Sequence, residues 1–320
     1  MKKFLFLILI ISLLFPFCSK QENNKKELKE IYVFHAGSLS IPFKQIAEEF
    51  MKENPDAMVL LEAYGSRTAA RQISDLRRRA EVMASADSSV IRTLLMPDYA
   101  DFCIDFTTNE MVLMYTDKSK YSKEINENNW YEIIQRDDVR VGHSEPNSDP
   151  CGYRSVLVMK LTEKHYNLNG FYEKMKNKIG KKYIRPKEVD LIALLEANEI
   201  DYLFIYRSVA EQHKMKYVVL PDEVNLKSNK FKELYKTVSV EISGKKPGEK
   251  IVKKGKPMVY GITLSKTAKY PELGIKFIKF VLSEKGQEIM KKNGQPEIIP
   301  PLVDNFEKLP EELKSLFKKQ

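Results

Sequence analysis

Four short stretches of the chain place a small or acidic residue where a helical pattern begins: Gly37-Ser38, Gly65-Ser66, Asp149-Pro150-Cys151-Gly152 and Pro186-Lys187-Glu188. In an open α/β sheet such turns gather at the carboxyl ends of the strands, where ligands bind. Backbone N–H groups and the positive ends of helix dipoles there suit an anion, and serine hydroxyls add neutral donors. Taken singly each stretch says less, because Ser and Asp ahead of a helix commonly serve as caps.

No enzyme signature competes with this pattern. G-x-S-x-G, H-E-x-x-H, a P-loop, G-x-G-x-x-G and paired C-x-x-C are all absent. His35, His143, His165 and His213 show no ligand-like spacing and read as ordinary surface or strand-end residues. Ser38, Ser66 and Ser208 stand near histidines without a local pattern for a nucleophile. Beyond Cys18, Cys103 and Cys151 are too few for a disulfide framework, and their spacing leaves open whether they pair with each other.

The elements that must position these turns follow from hydrophobic periodicity. Residues 31–36 read as a buried strand and 37–40 as a turn, followed by a helix with Ser40 as N-cap, Pro42 in its first turn and Ile46, Ala47 and Phe50 on one face. A strand over 58–63 leads through Tyr64-Gly65-Ser66 into a helix over 67–79. Strand, turn and helix in repetition predict a parallel α/β sheet. The segment 81–87 continues it, and the apolar strand 111–115 is suited to pass from one lobe to another. A second set starts near residue 140, with a strand over 139–141, a loop over 142–150 and helices over 151–165 and 185–196. A strand over 202–206 closes that set. Residues 227–256, rich in Lys, Gly and Glu, read as an exposed connection apart from 238–242; 257–264 is a return strand and 270–292 one amphipathic helix.

With 320 residues, 43% hydrophobic and 30% charged, the chain is long enough for two lobes rather than one core. Lys2 and Lys3, an apolar run over 4–17, Cys18 and a polar tract describe an export signal, too short to span a membrane. A cysteine at the end of that run resembles a bacterial lipoprotein signal in which Cys18 carries lipid. The net charge of +9 is spread along the chain among carboxylates, with no basic stripe interleaved with aromatics, so nucleic acid is not an expected partner.

Longer runs carry a resemblance. Ala36-Gly37-Ser38-Leu39, the stretch from Gly65 to Gln72, Ser85-Ala86-Asp87, Asn109-Glu110-Met111-Val112, Asp149-Pro150-Cys151-Gly152-Tyr153-Arg154, Arg185-Pro186-Lys187-Glu188, Glu199-Ile200-Asp201-Tyr202 and the stretch from Ile205 to Gln212 occur in that order. Together they resemble the tungstate/molybdate-binding proteins of ABC transporters, in their archaeal-type branch, over roughly 31–300. The resemblance implies the α/β periplasmic-binding-protein type II fold, two lobes joined by crossover strands with the ligand cleft between them. On this chain that means a signal segment 1–18, a tether 19–29, lobe one from 30–108 with 257–320, and lobe two from 109–256. It implies oxyanion ligands at Gly37, Ser38 and Ser66 from lobe one, and at Asp149, Cys151, Glu188 and Tyr206 from lobe two. Asp149 and Glu188 would coordinate the tungsten or molybdenum atom itself. No cofactor and no catalysis are implied; the implied partners of the monomer are the oxyanion, an ABC permease and, through Cys18, the outer face of a membrane.

Two carboxylates facing an oxyanion repel it unless the central atom accepts extra oxygen ligands. Tungsten(VI) and molybdenum(VI) do so, and the sulfur of sulfate does not. The same carboxylates would then exclude sulfate by charge. Arg67 and Arg154 either offset that charge or lie on solvated helix faces. Two other readings stay open at this point: a binder of sulfate, phosphate or ferric iron with the same fold, and an enzyme using Asp149 and Glu188 as an acid/base pair.

Overall fold

The computed structural model describes residues 28–317, so the expected signal segment 1–18 with Cys18, and most of the tether 19–29, lie outside the described residues. β1 (Lys29–Ala36) runs through a single 3-10 turn, Gly37–Leu39, into α1 (Ser40–Glu53). Ser40 is not the N-cap that the sequence suggests. The 3-10 turn starts the winding three residues earlier, so Ser40 is already helical and its hydroxyl donates back to the Gly37 carbonyl at 2.7 Å.

β2 (Ala57–Tyr64), α2 (Ser66–Ser74) and β3 (Val82–Ser85) follow. The helix expected to reach Arg79 stops at Ser74, and Arg77 takes a left-handed φ of 54°, which turns the chain toward β3. α3 (Ser88–Val90) and β4 (Cys103–Thr107) complete the first half. The chain then crosses into β5 (Met111–Tyr115), α4 (Trp130–Ile133), β6 (Val141–Ser144), α5 (Pro150–His165), α6 (Phe171–Ile179) and β7 (Ile184–Arg185). β6 lies two residues beyond the expected position, because the Arg140 N–H is held by the buried Asp201 carboxylate at 2.8 Å rather than by a strand. A 3-10 turn, Glu188–Leu191, opens α7 (Ile192–Glu196), and β8 (Tyr202–Tyr206), α8 (Arg207–Gln212) and β9 (Lys216–Val219) close this half.

Residues 227–256 are more ordered than an exposed connection. After α9 (Lys232–Tyr235) they form an antiparallel hairpin of β10 (Ser239–Ser243) and β11 (Lys250–Lys254). Lys160 of α5 fastens its base through the Ser239 carbonyl at 2.6 Å, and Arg71 of α2 reaches the Gly244 carbonyl at its turn at 2.6 Å. The chain returns through β12 (Tyr260–Leu264), α10 (Pro271–Val281), α11 (Glu284–Lys292), β13 (Glu297–Asp304) and α12 (Glu311–Lys314). The single helix expected over 270–292 is two. Ser283 caps the second by accepting from the Gly286 N–H at 3.2 Å, and Gly286 fits only because a Cβ there would stand 2.1 Å from the Phe280 carbonyl.

Beside the β10–β11 hairpin stand two larger sheets, one of six strands ordered β13-β4-β12-β3-β1-β2 and one of five ordered β7-β6-β8-β5-β9. β1 pairs in parallel with β2 and β3, and β6 with β7 and β8, as the strand-helix repeat predicts. The sheets are mixed rather than parallel throughout. β12 is antiparallel to both β3 and β4, and β5 to β8 and β9, because each enters its sheet from the other lobe and so arrives at the carboxyl ends of its neighbours. β3 and β8 are buried along their whole length, which suits strands covered on both faces. Thus residues 108–110 outbound and 255–259 on return join the carboxyl ends of the two sheets, and the turns singled out above face one another there.

Candidate functional site

Asp149 is the N-cap of α5. One carboxylate oxygen accepts from the Cys151 N–H at 3.2 Å, and the other accepts from the Glu188 N–H at 3.0 Å. Pro150, at the first helical position, has no N–H to satisfy. Asp149 therefore performs the expected capping and, with its second oxygen, fixes the turn that carries Glu188. The Cys151 N–H, expected to face a ligand, is engaged by this cap.

Glu188 is 1% exposed, and neither of its carboxylate oxygens has a hydrogen-bond partner of good geometry, the Asp149 side chain and the Ser38 backbone being the polar groups of other residues that act on it. A buried carboxylate without donors is unfavourable unless something else faces it. Burial, and then the Asp149 carboxylate beside it, push the Glu188 carboxyl well above its usual range; burial likewise raises Asp149. Across the cleft stands Gly37, where an added Cβ would lie 3.0 Å from each Glu188 oxygen. Only glycine lets the backbone of lobe one come this close to the carboxyl.

Ser38 and Ser66 come from lobe one, and both are fully buried. The Ser38 hydroxyl pairs with the Tyr260 hydroxyl at 3.0 Å, and the Ser66 hydroxyl accepts from the Ala86 N–H at 3.0 Å. Gly65, the N-cap of α2, is a point of close backbone approach between the lobes: a Cβ would stand 2.6 Å from the Ser148 carbonyl and 2.9 Å from that of Pro186. The Arg67 and Thr68 N–H groups at the start of α2 donate to that same Ser148 carbonyl, at 3.1 and 3.2 Å. Tyr206, last residue of β8, has its hydroxyl held by Arg154 at 2.8 Å. All seven residues singled out from the sequence are thus buried at the meeting of the two sheets, with Glu188 in contact with both Gly37 and Asp149.

Several members of the site are not legible from local motifs. Arg154 is 2% exposed, not on a solvated helix face, and bridges the Tyr206 hydroxyl to the Ala86 carbonyl of lobe one, 2.8 Å from each. Arg67 is likewise buried, and its Nε donates to the Asn147 carbonyl at 3.0 Å. Tyr153, next to Arg154, donates to Asp87 of lobe one, which also meets Lys256 at 3.1 Å and Lys253 at 3.4 Å. Burial alone would raise the Asp87 carboxyl, but Lys256, Lys253 and Arg154 outweigh it and hold the group well below its usual range. A usable signal existed for Arg154: α5 is apolar on nearly every face through its first three turns, so a charged side chain there had to be buried.

Cys103 and Cys151 are both buried and free, on β4 and α5 respectively. His35 and His143 are buried strand residues, each pairing its Nδ1 with the next carbonyl, at 2.8 and 2.7 Å. Among the described residues no group of three or more His, Cys, Asp or Glu could hold a metal ion, and no helix is long and apolar enough to cross a membrane.

Comparison with known proteins agrees with this architecture. An uncharacterized solute-binding protein of Petrotoga mobilis is 53% identical, over 90% of each chain. A protein of Pyrococcus abyssi described as molybdate/tungstate-binding protein WtpA is 44% identical, over 92% of this chain and 91% of its own. The fold matches that of the Azotobacter vinelandii periplasmic molybdate-binding protein with a TM-score of 0.61 at 16% identity, covering 83% of this chain and 98% of that one. It also matches the sulfate-binding protein SubI of Mycobacterium tuberculosis with a TM-score of 0.60 at 11% identity, covering 85% and 88%. Residues 31–295 match the family described as bacterial extracellular solute-binding protein, and the chain belongs to that family.

Proposed function

We propose that this protein captures tungstate or molybdate outside the cytoplasm by closing two lobes on it, 30–108 with 257–320 against 109–256, and delivers it to an ABC permease. The reading rests on the Glu188 carboxyl, buried beside Asp149 without a hydrogen-bond donor of good geometry and closely approached by Gly37 of the other lobe. Such a pair is unfavourable by itself and repels an ordinary oxyanion. It becomes favourable when the oxyanion's central atom takes both carboxylates as extra ligands, as tungsten(VI) and molybdenum(VI) can. Ser38, Ser66 and Tyr206 then donate to the oxo groups, and Gly37, without a side chain, lets lobe one close against Glu188. The protein works as a monomer, and lipid on Cys18 holds it at the outer face of the membrane. The relatives named molybdate/tungstate-binding support the same ligand.

Calorimetric titration of residues 19–320 with tungstate, molybdate and sulfate at one ionic strength tests this. Binding of the first two without sulfate is expected. Binding of sulfate with equal strength, or of none of the three, would remove the carboxylate mechanism.

A further inference from the structure

The three hydroxyls of the site share a feature of polarity. Each accepts a hydrogen bond from a group behind it: Ser66 from the Ala86 N–H, Tyr206 from Arg154, and Ser38 from a side chain whose direction has to be worked out. The Ser38–Tyr260 contact, 3.0 Å between hydroxyl oxygens, allows either to be the donor.

Asn109 decides it. Its side-chain oxygen faces two backbone donors, the Glu110 N–H at 3.0 Å and the Ser208 N–H at 3.4 Å, so its amide cannot be turned round. Its NH2 must therefore donate, and it does so to the Ser208 hydroxyl at 2.7 Å and the Tyr260 hydroxyl at 3.0 Å. The phenol oxygen of Tyr260 is thereby an acceptor toward Asn109, and Ser38 is the remaining hydrogen-bond partner toward which its proton can turn. Ser38, fully buried and with no other side-chain partner, then holds its own proton free on the remaining side.

We infer that Tyr260, aligned by Asn109, is a positioning residue for oxyanion binding: it supplies a proton to the Ser38 hydroxyl from behind and so aims the Ser38 O–H at the ligand. This deepens the reading above and rests on it for the identity of the ligand. The relay joins the two crossings between the lobes, Asn109 on the outbound connection and Tyr260 at the end of the return. The Tyr260 ring also packs edge-on against Tyr206 at 6.0 Å between centroids, which fixes the ring that carries the Tyr260 hydroxyl. Without it the Ser38 proton is free to turn toward other acceptors, and the ligand loses an oriented donor.

The test is a double-mutant cycle on tungstate affinity with Ser38→Ala and Tyr260→Phe. Each single change is expected to weaken binding roughly tenfold, the effect of losing one hydrogen bond to a charged group. The double variant is expected to bind no worse than Ser38→Ala alone, because Tyr260 acts through Ser38. Additive losses, or unchanged affinity in Tyr260→Phe, would overturn the relay. A second measurement needs no ligand and no variant. In the ligand-free protein the buried Tyr260 hydroxyl proton should exchange slowly and give an NMR cross-peak to the Ser38 β-protons. Its absence would overturn the relay even in a chain that binds tungstate, whereas a chain that binds no tungstate but shows the cross-peak keeps the relay and loses the proposed ligand.

Discussion

The backbone N–H of Glu188 donates to the Asp149 side chain at 3.0 Å, so the carboxylate that caps α5 also anchors the turn presenting the second carboxylate. Removing charge from one residue of this pair and moving the other are therefore separable experiments.

Glu188→Gln keeps the volume and the anchoring N–H but removes the charge. Tungstate and molybdate affinity should fall by about two orders of magnitude, roughly 3 kcal/mol. The unliganded protein should become more stable by about 1–3 kcal/mol at neutral pH, since burial and Asp149 oppose an ionisation that the unfolded chain makes freely and glutamine has none to lose. Calorimetry and urea unfolding read the two effects. Retained affinity would rule out coordination by Glu188.

Gly65→Ala places a methyl group 2.6 Å from the Ser148 carbonyl and 2.9 Å from that of Pro186, both backbone atoms that cannot swing away. The lobes should be held apart at an energetic penalty of about 1–3 kcal/mol, lowering affinity by a factor of roughly 10 to 100. Small-angle scattering should show less contraction on adding tungstate than in the unaltered chain. Full contraction with unchanged affinity would mean that the contact relaxes without consequence.

Burial lowers the pKa of His35 from 6.5 to about 4. Between those values the unfolded chain holds a proton that the native protein refuses. His35 thus supports the fold fully above pH 6.5, and that support fades as pH falls through the window, by up to about 3 kcal/mol. Burial shifts His143 in the same direction. Urea midpoints at pH 7, 5.5 and 4.5 should decline, and less steeply in His35→Gln; an identical slope in that variant would clear His35 of the effect.

Both free thiols of the described residues are buried, and burial raises each pKa well above the usual thiol range. In a chain carrying Cys18→Ser, a thiol reagent should label neither Cys103 nor Cys151 until denaturant is added, when both should react. Mass spectrometry of the labelled chain reads the count. A Cys103–Cys151 disulfide would show as no labelling in denaturant either.

The strand-turn-helix order was legible in local patterns, and Asp149 and Glu188 stood out singly as residues at helix entries; their pairing came from the family resemblance. What escaped notice acts across the molecule. Ser38 meets Tyr260 over a separation of 222 residues, and Asn109 meets Tyr260 over 151. No period within the sequence registers such a pairing. The β10–β11 hairpin was missed for a different reason. β11 alternates exposed and half-buried residues and is rich in lysine, and β10 buries only Ile242, so their apolar signal is weak, and the hairpin is held by backbone carbonyl contacts to Lys160 and Arg71 that any residue would offer.

The position of β12 sets an order of assembly. β4 has only β12 and β13 as neighbours in the six-stranded sheet, and β12 lies between β4 and β3. As the chain leaves the ribosome or the export channel, every strand of the five-stranded sheet is available once Val219 has emerged. β4, made more than a hundred residues earlier than Val219, still has no partner. It stays unpaired until Tyr260–Leu264 arrives and inserts. The lobe that starts first is therefore completed last. Its exposed β3 and β4 edges make the interval between Val219 and Leu264 the stage at which a nascent chain is most open to pairing with another copy.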